Sequence, residues 1–329
     1  MFHDAHRRPR RIPVPAALLA AVLLAGCSGA GGGTGSGGGE PKLGAVAVNP
    51  ATSSLSLPMD AYMDTEADTM RMGRVQEGLV AACMARYGFT YEGVTAVGRS
   101  AGGAPGDRHA HLFGLADPAV AAAHGYDKTS GEGKPAKPPA PKLSDSAYTV
   151  LHGEPPGGGG PGAQPPPDAL NEEDAARVDS GIEVGGQKVP AGGCGREGYR
   201  KLYAPTKDSV DLLFAFGLAG EAHDRSKGDS RVVEVLRKWS ACMDKSGYTG
   251  LKTPYEVVEK LGLQSDLGGA KAVSAAKADV ACKYEVNLVG VWYAVEKAYQ
   301  QRLIEEHAET LALYKKQRDA RFKLAASLG

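Results

Sequence analysis

The sequence has no Cys-x-x-Cys pair, no apolar run long enough to cross a bilayer and no excess of either charge sign. Without paired cysteines at that spacing, a thioredoxin-like redox motif or a zinc ribbon is not expected. With 38 basic and 38 acidic side chains, no basic surface strong enough to hold nucleic acid is expected. The apolar stretch Ala16–Ala25 is about half the roughly 20 residues that a spanning helix needs.

What stands in that place is a secretory pattern. Arg7, Arg8, Arg10 and Arg11 precede the apolar stretch, which ends in Leu24-Ala25-Gly26-Cys27. The layout is that of an export signal, and the tetrapeptide looks like a bacterial lipobox, whose rule makes Cys27 the lipidated N-terminus and membrane lipid its partner. Residues 1–26 then form the signal peptide, and their loss removes four arginines and one aspartate, leaving a balance of about −3. Residues 27–57 read as a flexible tether opened by a glycine-rich run. The expected location is the extracytoplasmic face of the cell membrane.

The remainder divides by composition. Residues 58–128 and 168–329 carry helical patterning, whereas 129–167 is mainly Gly, Pro, Lys, Ala and Ser, too poor in apolar side chains to offset the entropy of ordering. Within that insertion Ala147-Tyr148-Thr149-Val150-Leu151 reads as a short strand-like element docked on the body.

Elsewhere the punctuation is helical. Thr65-x-x-Asp68 opens an amphipathic run through Met72, Val75, Leu79 and Cys83 to a stop at Gly88. Ser230 is placed to cap a second run through Val232, Val235, Leu236, Trp239, Cys242 and Met243, stopping at Gly247. Thr253-Pro254-Tyr255-Glu256 marks a third start, closed by Gly262. Asp208–Ala222 is apolar on every side and is expected to be central. A last helix runs from about Ser274 past Leu311, interrupted only by Gly290, and its charged second half is expected to project into solvent or meet an envelope partner, with Glu305, Glu306 and Glu309 on its wet face.

Two helix ends repeat a phrase, Cys83-Met84-x-x-x-Gly88-Phe89 and Cys242-Met243-x-x-x-Gly247-Tyr248. With each glycine as the left-handed residue past the last turn, the methionine falls at C3 and the ring at C″, the pair that packs in a Schellman ending. The neighbouring cysteine then faces inward, placed to cross-link. Setting Cys27 aside leaves Cys83, Cys194, Cys242 and Cys282, an even set for an oxidising compartment. They allow three connectivities, of which the repeat suggests Cys83 with Cys194 and Cys242 with Cys282.

The frame CMARYGF, IEVGGQKVP, GGCGREGYRKL, WSACMDKSGY and ADVACKYEVNL resembles a group of actinobacterial secreted lipoproteins of unknown function, over Pro58–Gln301 without the insertion. That resemblance implies no activity. Gly185-Gly186 would be the hairpin turn before Cys194.

Signals for catalysis are thin. Gly98-Arg99-Ser100-Ala101-Gly102 has the spelling of a hydrolase elbow, but Gly103-Ala104-Pro105-Gly106 cannot begin the helix that an elbow requires. His109 and His111 would point the same way from an extended segment, with His124 beyond, yet no third metal ligand is fixed. The chain is therefore expected to be mainly α, a disulfide-stapled helical domain with a short β-hairpin and a long C-terminal helix. It is expected to act by binding or scaffolding without cofactor or metal, an envelope hydrolase using Ser100 being the alternative.

Overall fold

The computed structural model describes residues 39–93, 107–110, 112–127, 142–157 and 168–328. Cys27, Ser100 and His111 lie outside the described residues. The elements in order are α1 (Glu66–Arg86), α2 (Pro118–His124), α3 (Asp145–His152), α4 (Glu172–Ala175), β1 (Glu183–Val184), β2 (Gln187–Lys188), α5 (Gly193–Tyr203), α6 (Phe214–Lys227), α7 (Ser230–Lys245), α8 (Val257–Lys260), α9 (Ala270–Glu285), α10 (Leu288–Glu306) and α11 (Ala308–Leu328). The fold is mainly α, as the patterning predicts, with two disulfides, Cys83–Cys194 and Cys242–Cys282. Among the described residues no helix is long and apolar enough to cross a membrane.

The helices form two packed groups. In the larger, α6, α7, α9 and α10 bury Leu218, Val235, Trp239, Cys282, Trp292 and Val295 in one core. In the smaller, α1, α3 and α5 with the hairpin bury Val80, Cys83, Met84, Val150, Val189 and Cys194. Each disulfide lies within one group. The two repeated helix ends adopt the same geometry: Phe89 N–H reaches the Met84 carbonyl at 3.2 Å and Tyr248 N–H that of Met243 at 2.9 Å, with Gly88 at φ +78° and Gly247 at φ +89°. These are the six-to-one bonds of a Schellman ending. The hairpin pairs Glu183 with Lys188 and Val184 with Gln187 across Gly185-Gly186.

Several local expectations are corrected. The Ala147–Leu151 island is helical, not strand-like, because Ser144 Oγ accepts the Ala147 N–H and Gly153 closes the turn in the left-handed region. Those caps override the β preference of Thr149 and Val150. The helix expected from Asp208 starts at Phe214: Asp211 Oδ1 takes the Leu213 N–H at 2.8 Å, while Val210 N–H and the Asp208 carbonyl are engaged by Gln317 of α11. Nor is it buried all round, since Leu213 and Phe216 are 63% and 68% exposed. The cap of α7 is Asp229, with Ser230 as first helical residue. Thr253 caps no backbone group, and Pro254–Glu256 is a 3-10 turn leading into the single turn of α8.

A long C-terminal helix is present as α11, 21 residues long, but the span from Ser274 past Leu311 is divided among three helices. Asn287, at φ +53°, ends α9 and starts α10, and its side chain both accepts Asn49 N–H at 2.8 Å and donates to the Ala47 carbonyl at 2.9 Å. Gly290 does not interrupt α10. It admits the strap, for a Cβ there would lie 2.0 Å from the Ala47 oxygen. Residues 40–57, read as tether, thus lie against the body, where Glu40 also accepts Ser230 N–H. The chain turns again at His307, and α11 folds back over α1 and α5 rather than projecting, burying Leu311, Tyr314, Arg321 and Ala325.

Buried charge also ties elements together. Asp279 and Lys283, both fully buried in α9, are 3.0 Å apart, and Asp279 accepts Trp239 Nε1–H at 2.9 Å from α7. Burial pushes the Asp279 carboxyl up and the Lys283 amine down, and their mutual contact pulls both back. In the smaller group Glu197 accepts from Arg86 at 2.5 Å and from Lys201. Burial works to raise this carboxyl, but those two bonds hold it below its ordinary range.

Candidate functional site

Where the two helical groups meet, the surface opens into a cleft of about 560 Å³. Its walls are apolar: Leu57 and Met63 flank the 3-10 turn Pro58–Tyr62, Met72 comes from α1, and Leu212, Leu213, Phe216 and Ala219 come from the start of α6. Leu112 and Tyr203 complete the sides. A cavity of this size and lining falls within the usual range for small-molecule sites, about 300–1,000 Å³.

The floor is polar and buried. Glu296 of α10, fully buried, accepts from His223 Nδ1 at 3.1 Å and from Gln300 Nε2 at 3.1 Å. Gln300 in turn accepts the Met59 N–H at 3.0 Å, tying the 3-10 turn to the floor. Ser226 Oγ lies 3.1 Å from the same carboxylate and takes the Trp292 Nε1–H at 2.8 Å. The His223 ring stacks on Trp292 with centroids 5.5 Å apart, and its Nε2 is 3.2 Å from the oxygen of the Tyr255 hydroxyl, whose proton goes to the Leu112 carbonyl at 2.5 Å. Partial burial and the negative charge of Glu296 push the Tyr255 phenol above its ordinary range.

One rim is charged. His109 Nε2 lies 2.9 Å from Asp60 Oδ1, and Arg108 donates to the Asp64 carbonyl at 2.7 Å. Burial works to raise the Asp60 carboxyl, yet the bonds from His109 and the Leu57 N–H, with Arg108 nearby, hold it below the usual range. His109 is therefore committed to a carboxylate, while His124 ends α2, which packs against α9 and does not line the cleft. Among the described residues no three His, Cys, Asp or Glu side chains are grouped to hold a metal.

Both ring nitrogens of His223 are engaged, Ser226 is sealed below the floor, and Thr69 at the rim donates to the Thr65 carbonyl at 3.0 Å. One hydroxyl stands beside an imidazole: Tyr255, 3.2 Å from His223 Nε2, with Glu296 on the other ring nitrogen, its phenol being directed to the Leu112 carbonyl.

No family model, no curated protein and no solved structure matches the chain. The cleft residues were invisible to sequence reasoning except His109, because they come from distant stretches and none belongs to a motif. The signal that could have found them is the apolar start of α6, whose all-round hydrophobicity leaves part of its surface without a core to face.

Proposed function

We propose that the chain is a lipid-anchored extracytoplasmic protein that binds a small, apolar-bodied molecule in the cleft between its helical groups, without transforming it. The cleft carries this reading, through its apolar walls, its buried hydrogen-bonded floor and the exposed Leu213 and Phe216 at its lip. Anchoring rests on the Leu24–Cys27 lipobox and the glycine-rich run behind it. Large apolar side chains left exposed around a concavity are the usual mark of a binding surface.

The uncharged dye N-phenyl-1-naphthylamine tests the binding, since it fluoresces on entering apolar surroundings. Saturable uptake at one site per chain is expected, and Gly220→Trp should abolish it. Gly220 lines the cleft and a Cβ there meets nothing within 4 Å, so the indole fills the opening without straining the helix. Uptake unchanged in that variant refutes the cleft as the site. For the anchor, Cys27→Ala should release the protein from the membrane fraction or leave an unprocessed precursor, and a normally processed, membrane-bound variant refutes lipidation.

A further inference from the structure

Beside the cleft, and separated from it by Tyr203 and Tyr314, lies a smaller cavity of about 160 Å³ between the end of α5, the loop 204–210 and α11. Its lining is different in kind. Arg321 contributes a guanidinium, Thr206 and Ser209 contribute hydroxyls, and Lys201 and Gln317 stand at its edge.

Arg321 is only 7% exposed, yet it is poorly served. Its nearest carboxylate oxygen, Asp64 Oδ2, is 3.5 Å from Nη2, and Nε has no hydrogen-bond partner among the described residues. Asp64 is already engaged at its other oxygen by Arg318, at 2.5 Å, and Arg318 is fixed further by the Ala61 and Met63 carbonyls. One carboxylate thus faces two guanidinium groups, and the half-buried Asp68 nearby acts on Arg318. The Tyr203 ring, 5.2 Å from the Arg321 carbon, offers cation–π contact but no charge.

A buried guanidinium differs from other buried ions because it cannot shed its proton to relieve the charge. Leaving it with surplus positive charge is unfavourable unless an anion comes within reach of the guanidinium. We propose that this cavity is a binding site for a small oxyanion, a carboxylate or phosphate group, held by Arg321 with Thr206 and Ser209 as hydroxyl donors. The volume suits a single such group. The site is independent of what occupies the larger cleft, so it stands whether or not that cleft binds an apolar molecule.

The test follows the thermal unfolding midpoint of the full chain as sodium chloride is exchanged for sodium phosphate or sodium acetate at constant ionic strength. A ligand that binds only the folded state raises the midpoint in a saturable way. A saturable rise with at least one of the two is expected, and the anion with the lower half-saturation identifies the source. Arg321→Gln should weaken that binding about tenfold or more. Ala320→Trp gives a second route: Ala320 is exposed on α11 and lines the cavity, so an indole there fills the space with Arg321 intact, and the response should again vanish. No rise above the chloride control with either anion overturns the proposal, as does a response that survives in Arg321→Gln or, should that variant not fold, in Ala320→Trp.

Discussion

Removing the Cys242–Cys282 bridge should destabilise the chain without changing its fold, by an amount that follows from the structure. The bridge closes 40 residues, and the loop-entropy relation gives about 4 kcal/mol for a loop of that length. The native side of the balance should change little, because α7 and α9 are also joined by the Trp239–Asp279 hydrogen bond at 2.9 Å and by the shared core. Most of the loss therefore lies in the unfolded state, which expands when the link is cut. Three variants separate this account from one based on lost contacts: Cys242→Ala, Cys282→Ala and the double substitution. Either single change removes the whole bridge, so all three should lose about the same 4 kcal/mol in guanidinium unfolding, with a steeper denaturant dependence than the parent as more surface is exposed. The same relation gives about 5 kcal/mol for Cys83–Cys194, which closes 111 residues. A double variant that loses twice what either single does, near 8 kcal/mol, would mean that the side chains matter individually, and the cross-link account would fail.

Three further outcomes are expected. Lys283→Met should cost about 3–5 kcal/mol in urea unfolding, since it strands the buried Asp279 carboxylate without its cation; a loss under 1 kcal/mol would show that Trp239 and the Tyr126 hydroxyl, which donates to Asp279 at 3.2 Å, suffice for it. Glu197 has a folded-state pKa lowered from 4.5, so its contribution is present above that value and lost as pH falls through the lower folded value. Glu197→Gln should therefore flatten the fall in stability below about pH 4.5, and an unchanged slope between pH 5 and 3 refutes the assignment. Gly88→Ala and Gly247→Ala should each lose about 1 kcal/mol by calorimetry, because both glycines have positive φ but open space around the missing Cβ; loss of several kcal/mol at either would mean that packing, not backbone conformation, sets its identity.

Much of the frame is legible in the sequence where local chemistry decides the geometry. A glycine past a periodic run, two glycines between short β-prone segments and a Thr-x-x-Asp start each specify a backbone conformation within a few residues. Reading fails where a distant partner overrides local preference. Nothing near Asn287 announces that residues 47–49 will clasp it and divide the terminal helix. Asp208–Leu213 loses its helix because Gln317 and Tyr314, about a hundred positions on, engage that backbone. The Ala147–Leu151 island differs: its caps, Ser144 and Gly153, stand in the sequence itself, and they outweigh the β-branched Thr149 and Val150.

The cleft and the smaller cavity share a cause for their illegibility. Both lie at the seam between the helical groups, and α11 is what draws the seam together, with Arg318 and Arg321 on Asp64 at one side and Gln317 on the loop 208–210 at the other. Neither disulfide crosses that seam, for Cys83–Cys194 joins α1 to α5 and Cys242–Cys282 joins α7 to α9. The covalent links thus stiffen each group and leave the junction to hydrogen bonds, ion pairs and the apolar cluster of Met72, Leu202 and Ala325, which yield more readily than a cross-link. The proposed binding of a molecule between the two bodies would use this division, with stiff walls and a noncovalent seam. The repeated Cys-Met-x-x-x-Gly phrase is, on this view, the wall-building element used once in each group, and the cleft and the smaller cavity are lined by residues that the phrase does not contain.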